Sequence, residues 1–555
     1  MSRAFVKLQR HFFLQFFQVD AGGEGGLNPT AVLALLASPG AIMSFLLFFK
    51  YSPLVQFVQG NLNFNMDIAS LADKYTFLAL SMTVTGLVVV LRWESMFPDR
   101  RDYANLAALP VSDTTVLMAR STALAQFAVV FLVTVNFCST LLFPCVALQS
   151  DGTFAGVLRF IGSHAVAVIA AGVWAFATFL ALTGLMMALL PYSVFRRVRR
   201  YVQFGCIVGL ITLFLSASAM VQLIDPIRNG IPVWAEWLPT MWFLGLYEVL
   251  QGKATGSMGM LAGRAVMALG ISGAMAAVAY ALSYRWFYLR TAETAEGSDA
   301  AFPIPQLLLR AGELLLPSRG FYRASLRFAL RTLARSDRHT AAFAGVVGLG
   351  MALAVQSVNT PGAATPLPLG AIVAAMILVY ALITGLRLCF GIASELRANW
   401  IFRIAADDDS AEPQYVVRAV MYLFLLPLVA TVTMLFGFAW GWAPALRNAV
   451  FVMLCSALLI DIMTSGFRVI PFTCSWMPGR DNMPFALCLW AVGLAVFGHG
   501  FGGFGLFAIR DPIRLFVFAV VTFAILAGLH HTREDREPMI WADTRGELDL
   551  LRIGE

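Results

Sequence analysis

The sequence predicts an all-α polytopic membrane protein with about 12 transmembrane helices, arranged as two halves of six with both termini in the cytoplasm. Three observations predict this class. Of the 555 residues, 59% are apolar and only 13% are charged, and this charged share is too low for the surface of a soluble domain. The mean hydropathy is +0.76. Apolar runs long enough to cross the hydrocarbon core recur along the whole chain.

Transmembrane spans are expected near residues 31–49, 75–91, 121–148, 160–190, 202–224, 264–285, 341–357, 369–390, 418–440, 447–465, 484–506 and 514–530. Most of the 39 Lys and Arg residues fall in the segments that are cytoplasmic if the N-terminus is inside. Because cytoplasmic loops are the ones enriched in these residues, this orientation is favoured over its inverse. The topology also explains the net charge of +7 without a nucleic-acid partner, since the basic residues are dispersed among loops.

The chain divides into a first half at 1–290, a linker at 291–318 and a second half at 319–555. The linker is polar and contains Pro303 and Pro305. Each half is expected to hold six spans, and the second ends in a cytoplasmic tail. Each also has a long cytoplasmic loop between its second and third spans, so an internal duplication is the favoured interpretation.

Each half opens with an amphipathic segment. In the first half, the apolar face carries Phe5, Leu8, Phe12 and Phe16, and the basic face carries Arg3, Lys7 and Arg10. In the second half, arginines recur every four residues, at Arg319, Arg323, Arg327, Arg331 and Arg335. We expect both segments to be helices on the inner membrane face, where anionic lipid headgroups offset the repulsion between the arginines. The alternative is an ordinary basic flank of a span with no further role.

The sequence contains no nucleotide-binding loop of the G-x-x-x-x-G-K-[ST] type and no H-E-x-x-H metal motif. We therefore predict no catalytic residue and no metal site. The few ionisable residues within spans are His164, Arg387 and Asp461, and each lies near a span end, which favours local pairing over an ion path. Energy for any transport is then expected to come from another protein.

The cytoplasmic loop at 92–120 is the best candidate for receiving that energy. Asp99 to Asp102 form a charged patch, and the next residues suit a short helix with one apolar face that ends at Pro110. Ser112 and Asp113 are candidate N-caps for the helix that follows. An exposed helix with an apolar face and a charged rim favours docking to a soluble partner. A simple re-entry turn is the alternative.

The residues at 93–112 resemble the first cytoplasmic loop of ATP-binding-cassette (ABC) exporter permeases of the second exporter type. The resemblance rests on Trp93-Glu94, on Phe97 to Asp102, on Leu106 and on Leu109-Pro110-Val111-Ser112. It implies six spans in each half, an amphipathic helix before the first span and a coupling helix that rests on a separate cytoplasmic ATPase. The docking residues that it implies are Glu94, Phe97, Asp99, Arg100, Arg101, Asp102, Leu106, Leu109 and Pro110.

Two other regions bear on this resemblance. The Pro- and Trp-containing segment between the fifth and sixth spans, 226–242, suggests helices folded at the outer membrane surface, as in that family. The second half departs from the family, because its loop lacks Leu-Pro-Val-Ser. A second docking site there would use different residues, and the candidates are Glu395, Arg397, Trp400 and Arg403.

The resemblance implies a permease subunit of an ABC-type exporter in the bacterial cytoplasmic membrane. The chain itself is then not an enzyme and holds no cofactor, and ATP and magnesium bind to the partner ATPase. A secondary, ion-coupled carrier with six plus six spans shares this topology. A non-catalytic membrane scaffold and a lipid-modifying enzyme are further alternatives. The sequence does not identify a substrate.

Overall fold

The computed structural model describes residues 3–531, apart from 17–28, 52–65, 98–110, 148–152, 216, 218–234, 254–255, 294–305, 317–319, 359–366, 393–412, 466, 468–470 and 473–482. The described residues form helices and contain no β-strand, as expected for an all-α membrane protein. The chain divides into two compact units, unit 1 at Met1–Ala300 and unit 2 at Ala301–Glu555. The boundary falls inside the segment 291–318, which the sequence suggests is a linker.

Unit 1 contains eight described α-helices and one short 3₁₀ turn, Ala235–Trp237. The α-helices are α1 (Arg3–Gln15), α2 (Pro29–Tyr51), α3 (Met66–Met96), α4 (Asp113–Val146), α5 (Phe154–Leu189), α6 (Tyr192–Leu215), α7 (Pro239–Gln251) and α8 (Gly256–Glu293). The short helix α7 packs against α3, α5 and α8. Its position between the fifth and sixth predicted spans is where the sequence suggests surface helices.

Unit 2 contains nine described α-helices and one π-helical segment, Ala495–Gly500. The α-helices are α9 (Gln306–Leu314), α10 (Gly320–Arg335), α11 (Asp337–Val358), α12 (Leu369–Phe390), α13 (Pro413–Trp440), α14 (Trp442–Thr464), α15 (Met483–Leu494), α16 (Phe501–Arg510) and α17 (Pro512–His531). Helix α9 lies within 291–318, so part of the predicted linker is helical. Helix α12 is buried along most of its length, which fits its almost wholly apolar sequence.

Among the described residues, eleven helices are long and apolar enough to cross a membrane. They coincide with the predicted spans from the second to the twelfth, and α2 covers the first predicted span at 31–49. The multi-span helical architecture is therefore confirmed. The largest differences in boundary are at α3 and α6. Helix α3 begins at Met66, nine residues before its predicted span, and α6 begins at Tyr192, ten residues before its predicted span.

Each unit has its own apolar core. In unit 1, one cluster of buried side chains includes Phe12, Phe97 and Phe127, and a second includes Tyr75 and Tyr247. In unit 2, one continuous cluster extends from Tyr322 to Leu515 and includes much of α12. Because these side chains pack against other helices, the helices are held in place, and so are the ends of the loops that connect them.

Candidate functional site

The loop between α3 and α4 of unit 1 begins and ends beside a buried arginine. Arg120 lies two turns into α4 and is only 2% exposed. Its Nη2 donates to the carbonyl oxygen of Phe97 at 2.6 Å and to that of Ser95 at 3.0 Å. Because α3 leads into the loop and α4 leads out of it, Arg120 joins the two sides of the loop. Hydrogen bonds from a charged donor are among the stronger ones in proteins.

Two further helices pack around this arginine. The guanidinium of Arg120 lies 5.0 Å from the ring centre of Phe12 on α1. Tyr280 of α8 places its ring 5.3 Å from that of Phe97, and its hydroxyl donates to the carbonyl of Met96 at 3.4 Å. We call Arg120, Phe12, Phe97 and Tyr280 the loop stem. Four helices therefore hold the stem in place.

Most of the predicted docking residues lie outside the described residues. These are Asp99, Arg100, Arg101, Asp102, Leu106, Leu109 and Pro110. Glu94 lies in α3, but its side chain is not described. The ring of Phe97 is buried in the stem. The ring packs on Tyr280, and a contact of Phe97 with a docked partner stays a prediction.

The start of α4 agrees only in part with the predicted cap. Ser112 is the N-cap residue and has an extended backbone. Its hydroxyl makes a 2.8 Å hydrogen bond with the hydroxyl of Thr115, and none with a backbone amide. Asp113 is the first residue of the helix. The capping position was predicted correctly, whereas the capping hydrogen bond is absent here.

Unit 2 has a corresponding arrangement at the end of α12, just before the loop that begins at residue 393. His339 of α11 lies 2.9 Å through Nε2 from the carbonyl oxygen of Ile392 and 2.6 Å through Nδ1 from the Ser336 hydroxyl. A carbonyl only accepts, so Nε2 carries the proton and Nδ1 accepts from Ser336. The His339 ring packs edge-on against Phe472 at 4.8 Å. Phe472 in turn donates its amide to the carbonyl of Phe390 at 3.1 Å.

The helix after this loop also carries a partly buried arginine. On α13, Arg418 donates from Nη2 to Asp461 Oδ1 at 2.7 Å and from Nε to Thr464 Oγ1 at 3.0 Å. Arg387 of α12 donates to the Met463 carbonyl at 3.1 Å. Asp461 and Arg387 are thus paired locally, as the sequence favours. The predicted docking residues of this half, Glu395, Arg397, Trp400 and Arg403, lie outside the described residues.

The amphipathic helix of unit 2 forms, as the arginine spacing predicts. Arg323, Arg327, Arg331 and Arg335 are exposed on α10, and Arg319 lies outside the described residues. The opposite stripe, which includes Tyr322, Leu326, Ala329 and Leu330, is buried. This stripe packs into the core of unit 2 and does not face lipid, so only the basic face is open to other molecules. Arg327 also pairs with Glu313 of α9 at 2.9 Å.

Far along α3 from the loop stem, unit 1 holds a buried ion pair that the sequence did not reveal. Lys74 of α3 is 1% exposed. Its Nζ donates to Glu248 Oε1 at 2.7 Å and to Gln251 Oε1 at 2.6 Å, both on α7. It also lies 5.1 Å from the ring centre of Tyr247 and 5.5 Å from that of Phe160. A buried charge is tolerated when such partners surround it.

A chain of neutral hydrogen bonds runs beside this ion pair. His164 Nδ1 lies 2.8 Å from the Tyr247 hydroxyl, and Nε2 lies 3.4 Å from the Ser139 hydroxyl. Ser139 donates its own proton to the carbonyl of Asn136, so it accepts from Nε2, and Nδ1 accepts from Tyr247. Burial and the neighbouring Glu248 raise the pKa of Tyr247 well above its ordinary value, so the phenol keeps its proton to donate. His164 is thus paired locally, as the sequence favours.

The neighbouring residue on α3 makes a second ion pair. Asp73 accepts two hydrogen bonds from Lys50 of α2, both at 2.8 Å, and one from the Tyr51 hydroxyl at 2.5 Å. The signal for both pairs was two adjacent charges, Asp73 and Lys74, at the head of an apolar run. Their partners could not be identified from sequence, since Glu248 is 174 positions away from Lys74.

The described residues contain no group of three or more His, Cys, Asp or Glu side chains that could hold a metal ion. No protein-family model matches the chain, and neither a curated protein nor a solved structure shows significant similarity to it.

Proposed function

We propose that this chain is the membrane-spanning permease subunit of an ATP-driven, ABC-type exporter in the bacterial cytoplasmic membrane. A cytoplasmic ATPase on another chain supplies the energy and binds ATP and magnesium. It docks on the loop between the second and third spans of each half, at residues 94–113 and 395–412. The local resemblance at 93–112 supports this function, and the eleven apolar helices are compatible with it.

The observation that carries the proposal is the pair of hydrogen bonds that Arg120 makes at the loop stem. A loop that receives force from a partner transmits it only if both of its ends are fixed to the helices that must move. Arg120 fixes the ends of α3 and α4 to each other through the carbonyls of Ser95 and Phe97. A simple re-entry turn has no need for a buried guanidinium at its base.

Charge reversal in the loop tests the docking site. We expect the double change Asp99→Arg and Arg101→Glu to abolish co-purification of the ATPase in a pull-down from membranes, because both rim charges change sign. The matched control is Asp511→Arg with Arg514→Glu, an exposed pair at the start of α17, on the opposite membrane face in the proposed topology. If the loop variant retains the ATPase as well as the control does, the docking proposal is wrong.

A secondary carrier is the second candidate function, because it shares the topology. Carriers driven by an ion gradient place ionisable groups where an ion or proton can reach them. In the described part of the chain, Asp73, Glu248 and Asp461 each pair with a Lys or Arg, which disfavours this function. Flux into inverted vesicles that needs ATP and the ATPase and survives an uncoupler supports the exporter. Flux that an uncoupler abolishes supports the carrier.

Anionic lipids are the second proposed partner. The exposed arginines of α10 are separated from α11 by one residue, Ser336, and α11 is a candidate membrane span. This short connection holds the basic face close to the level of the lipid headgroups. Each arginine near an anionic surface contributes about 1 kcal/mol to the attraction.

A further inference from the structure

Helix α3 connects the two polar clusters of unit 1. It has 31 residues, which corresponds to a length of about 46 Å. At one end, the Ser95 carbonyl and the carbonyl of Phe97, the residue after the helix, bind Arg120 of the loop stem. Nearer the other end, Lys74 and Tyr75 contact α7. In the proposed topology, α3 therefore receives the force of the docked ATPase near one end and binds α7, on the opposite side of the membrane, near the other.

The contacts between α3 and α7 are polar and buried. Lys74 binds Glu248 and Gln251, and Thr240 at the start of α7 donates to the Tyr75 hydroxyl at 2.8 Å. Both ends of α7 are thus attached to two successive residues of α3. Separation of the two helices would leave the buried charges of Lys74 and Glu248 without their partners. Because an unpaired buried charge is costly, the pair strongly opposes this separation.

The rest of α3 contains no hinge. The helix is continuous from Met66 to Met96 and has no proline, the commonest cause of a kink. Its single glycine, Gly86, is closely packed, since a Cβ there would lie 2.8 to 3.0 Å from Phe179 and Leu210. The Ser81 hydroxyl also donates to the carbonyl of Val168 on α5 at 2.7 Å. A displacement at one end of α3 is therefore carried to the other end.

Helix α7 is also attached to the helices beside it. Arg159 of α5 donates to the carbonyl of Leu250 at 3.0 Å. Arg264 of α8 forms an ion pair with Glu236, just before α7, at 2.9 Å. These contacts are more exposed than the Lys74 contact, so loss of one partner costs less there than at Lys74, where it leaves a buried charge unpaired.

We infer that Lys74 and Glu248 are positioning residues that make α3 and α7 one mechanical body, so that movement of the loop stem displaces α7. Helix α7 is then part of the outer end of the transport path, and it is displaced when the ATPase moves the loop stem. It is not an independent lid. The role in transport rests on the proposed function, whereas the physical link between the helices does not.

The first experiment tests the link alone. The full chain is placed in nanodiscs of phosphatidylcholine with phosphatidylglycerol, and hydrogen exchange is measured by mass spectrometry in α7. We expect Lys74→Met or Glu248→Met to speed exchange by about 100-fold or more, because each leaves a buried charge unpaired. Lys74→Met with Glu248→Met removes both charges, so its exchange should return to within about tenfold of the original rate. Glu248→Gln replaces any single variant that does not fold.

A matched loss of another ion pair is the control. Arg418→Met removes the Arg418–Asp461 pair of unit 2 and should leave α7 exchange unchanged. Exchange in α4 reports whether unit 1 is folded in each variant, and exchange in α12 reports the same for unit 2. The inference is overturned if Lys74→Met and Glu248→Gln leave α7 exchange within about twofold of the original, or if Arg418→Met changes it equally.

The second experiment tests transmission and separates the two proposals. The partner ATPase with ATP and magnesium is added, and exchange is compared in α7 and in the first turns of α4. We expect both regions to change in the original chain, and only α4 to change in Glu248→Gln. If exchange in the original chain changes in α4 but not in α7, the inferred link between α3 and α7 is wrong and the proposed function is not contradicted. No change in α4 contradicts the proposed function, and the first experiment then decides the link.

Discussion

The guanidinium of Arg120 and the carbonyl oxygen of Phe97 are joined by a 2.6 Å hydrogen bond that spans the base of the loop at 98–110. Phe97 is the last described residue before this loop, and Arg120 follows it on the next helix. The bond is buried, so water does not compete for either atom. It fixes the distance between the two helices that a docked partner would have to move together.

Arg120→Met should lower the stability of unit 1. The change removes two hydrogen bonds from a charged donor, each worth about 1.5–3 kcal/mol. The carbonyls of Ser95 and Phe97 then lose the guanidinium that donates to them. The measurement is the midpoint of thermal unfolding of the full chain in detergent micelles. Tyr280→Phe is the control, since it removes one 3.4 Å hydrogen bond and should cost about 1 kcal/mol or less. Equal losses in the two variants would contradict the dominant role of Arg120.

Gly252→Ala should loosen the end of α7. Gly252 has φ of +71° at the C-cap of this helix, a conformation that costs an L-residue about 1 kcal/mol. A Cβ there would also lie 2.3 Å from the guanidinium of Arg159. We expect faster hydrogen exchange in α7 and a lower unfolding midpoint. Gly263→Ala is the matched control, because no atom lies within 4 Å of its Cβ position; unchanged or increased stability is expected in a helix interior.

Arg418 and Asp461 should behave as a coupled pair. Arg418→Met and Asp461→Asn each break the 2.7 Å contact between α13 and α14, and the side chains are 21% and 14% exposed. In a double-mutant cycle on the unfolding midpoint, the pair should show a coupling energy of about 1–3 kcal/mol. Additive effects of the two changes would show that the contact contributes little to holding α13 against α14.

The combined change Arg323→Gln, Arg331→Gln and Arg335→Gln should reduce binding of anionic lipid. These side chains are exposed on α10, so their loss should leave the fold intact. The measurement is the amount of phosphatidylglycerol retained by the purified chain, compared with phosphatidylethanolamine, by native mass spectrometry. We expect a selective loss of phosphatidylglycerol, because about 1 kcal/mol of attraction is lost with each charge. Arg514→Gln, in the first turn of α17, is the single-charge control.

Much of the fold could be predicted from the sequence, because hydropathy over a span depends only on neighbouring residues. The helices α4, α5, α12 and α14 agree with the predicted spans to within eight residues at each end. The amphipathic helix α10 was also predicted, since its arginines recur at the helical period. Such signals are local, so they are present in the sequence without knowledge of tertiary contacts.

The errors have physical causes. The second span was placed from residue 75 because Asp73 and Lys74 lower the local hydropathy, yet both are neutralised inside unit 1 by partners on other helices. Helix α6 begins early because Tyr192 to Arg200 is basic and amphipathic and continues as a helix before the apolar run. The stem at Arg120 was missed, because a backbone carbonyl has no sequence signature that identifies its partner.

The separate cores of the two units have a consequence for biosynthesis. Every residue of the unit 1 clusters lies before position 281, and every residue of the large unit 2 cluster lies after position 321. Domains fold as units while the chain emerges from the ribosome, starting from the N-terminus. The first half can therefore complete its interior, including the Lys74–Glu248 pair, before the second half has been translated. Membrane insertion of this long, apolar chain is then divided into two shorter tasks, each of which ends in a finished core.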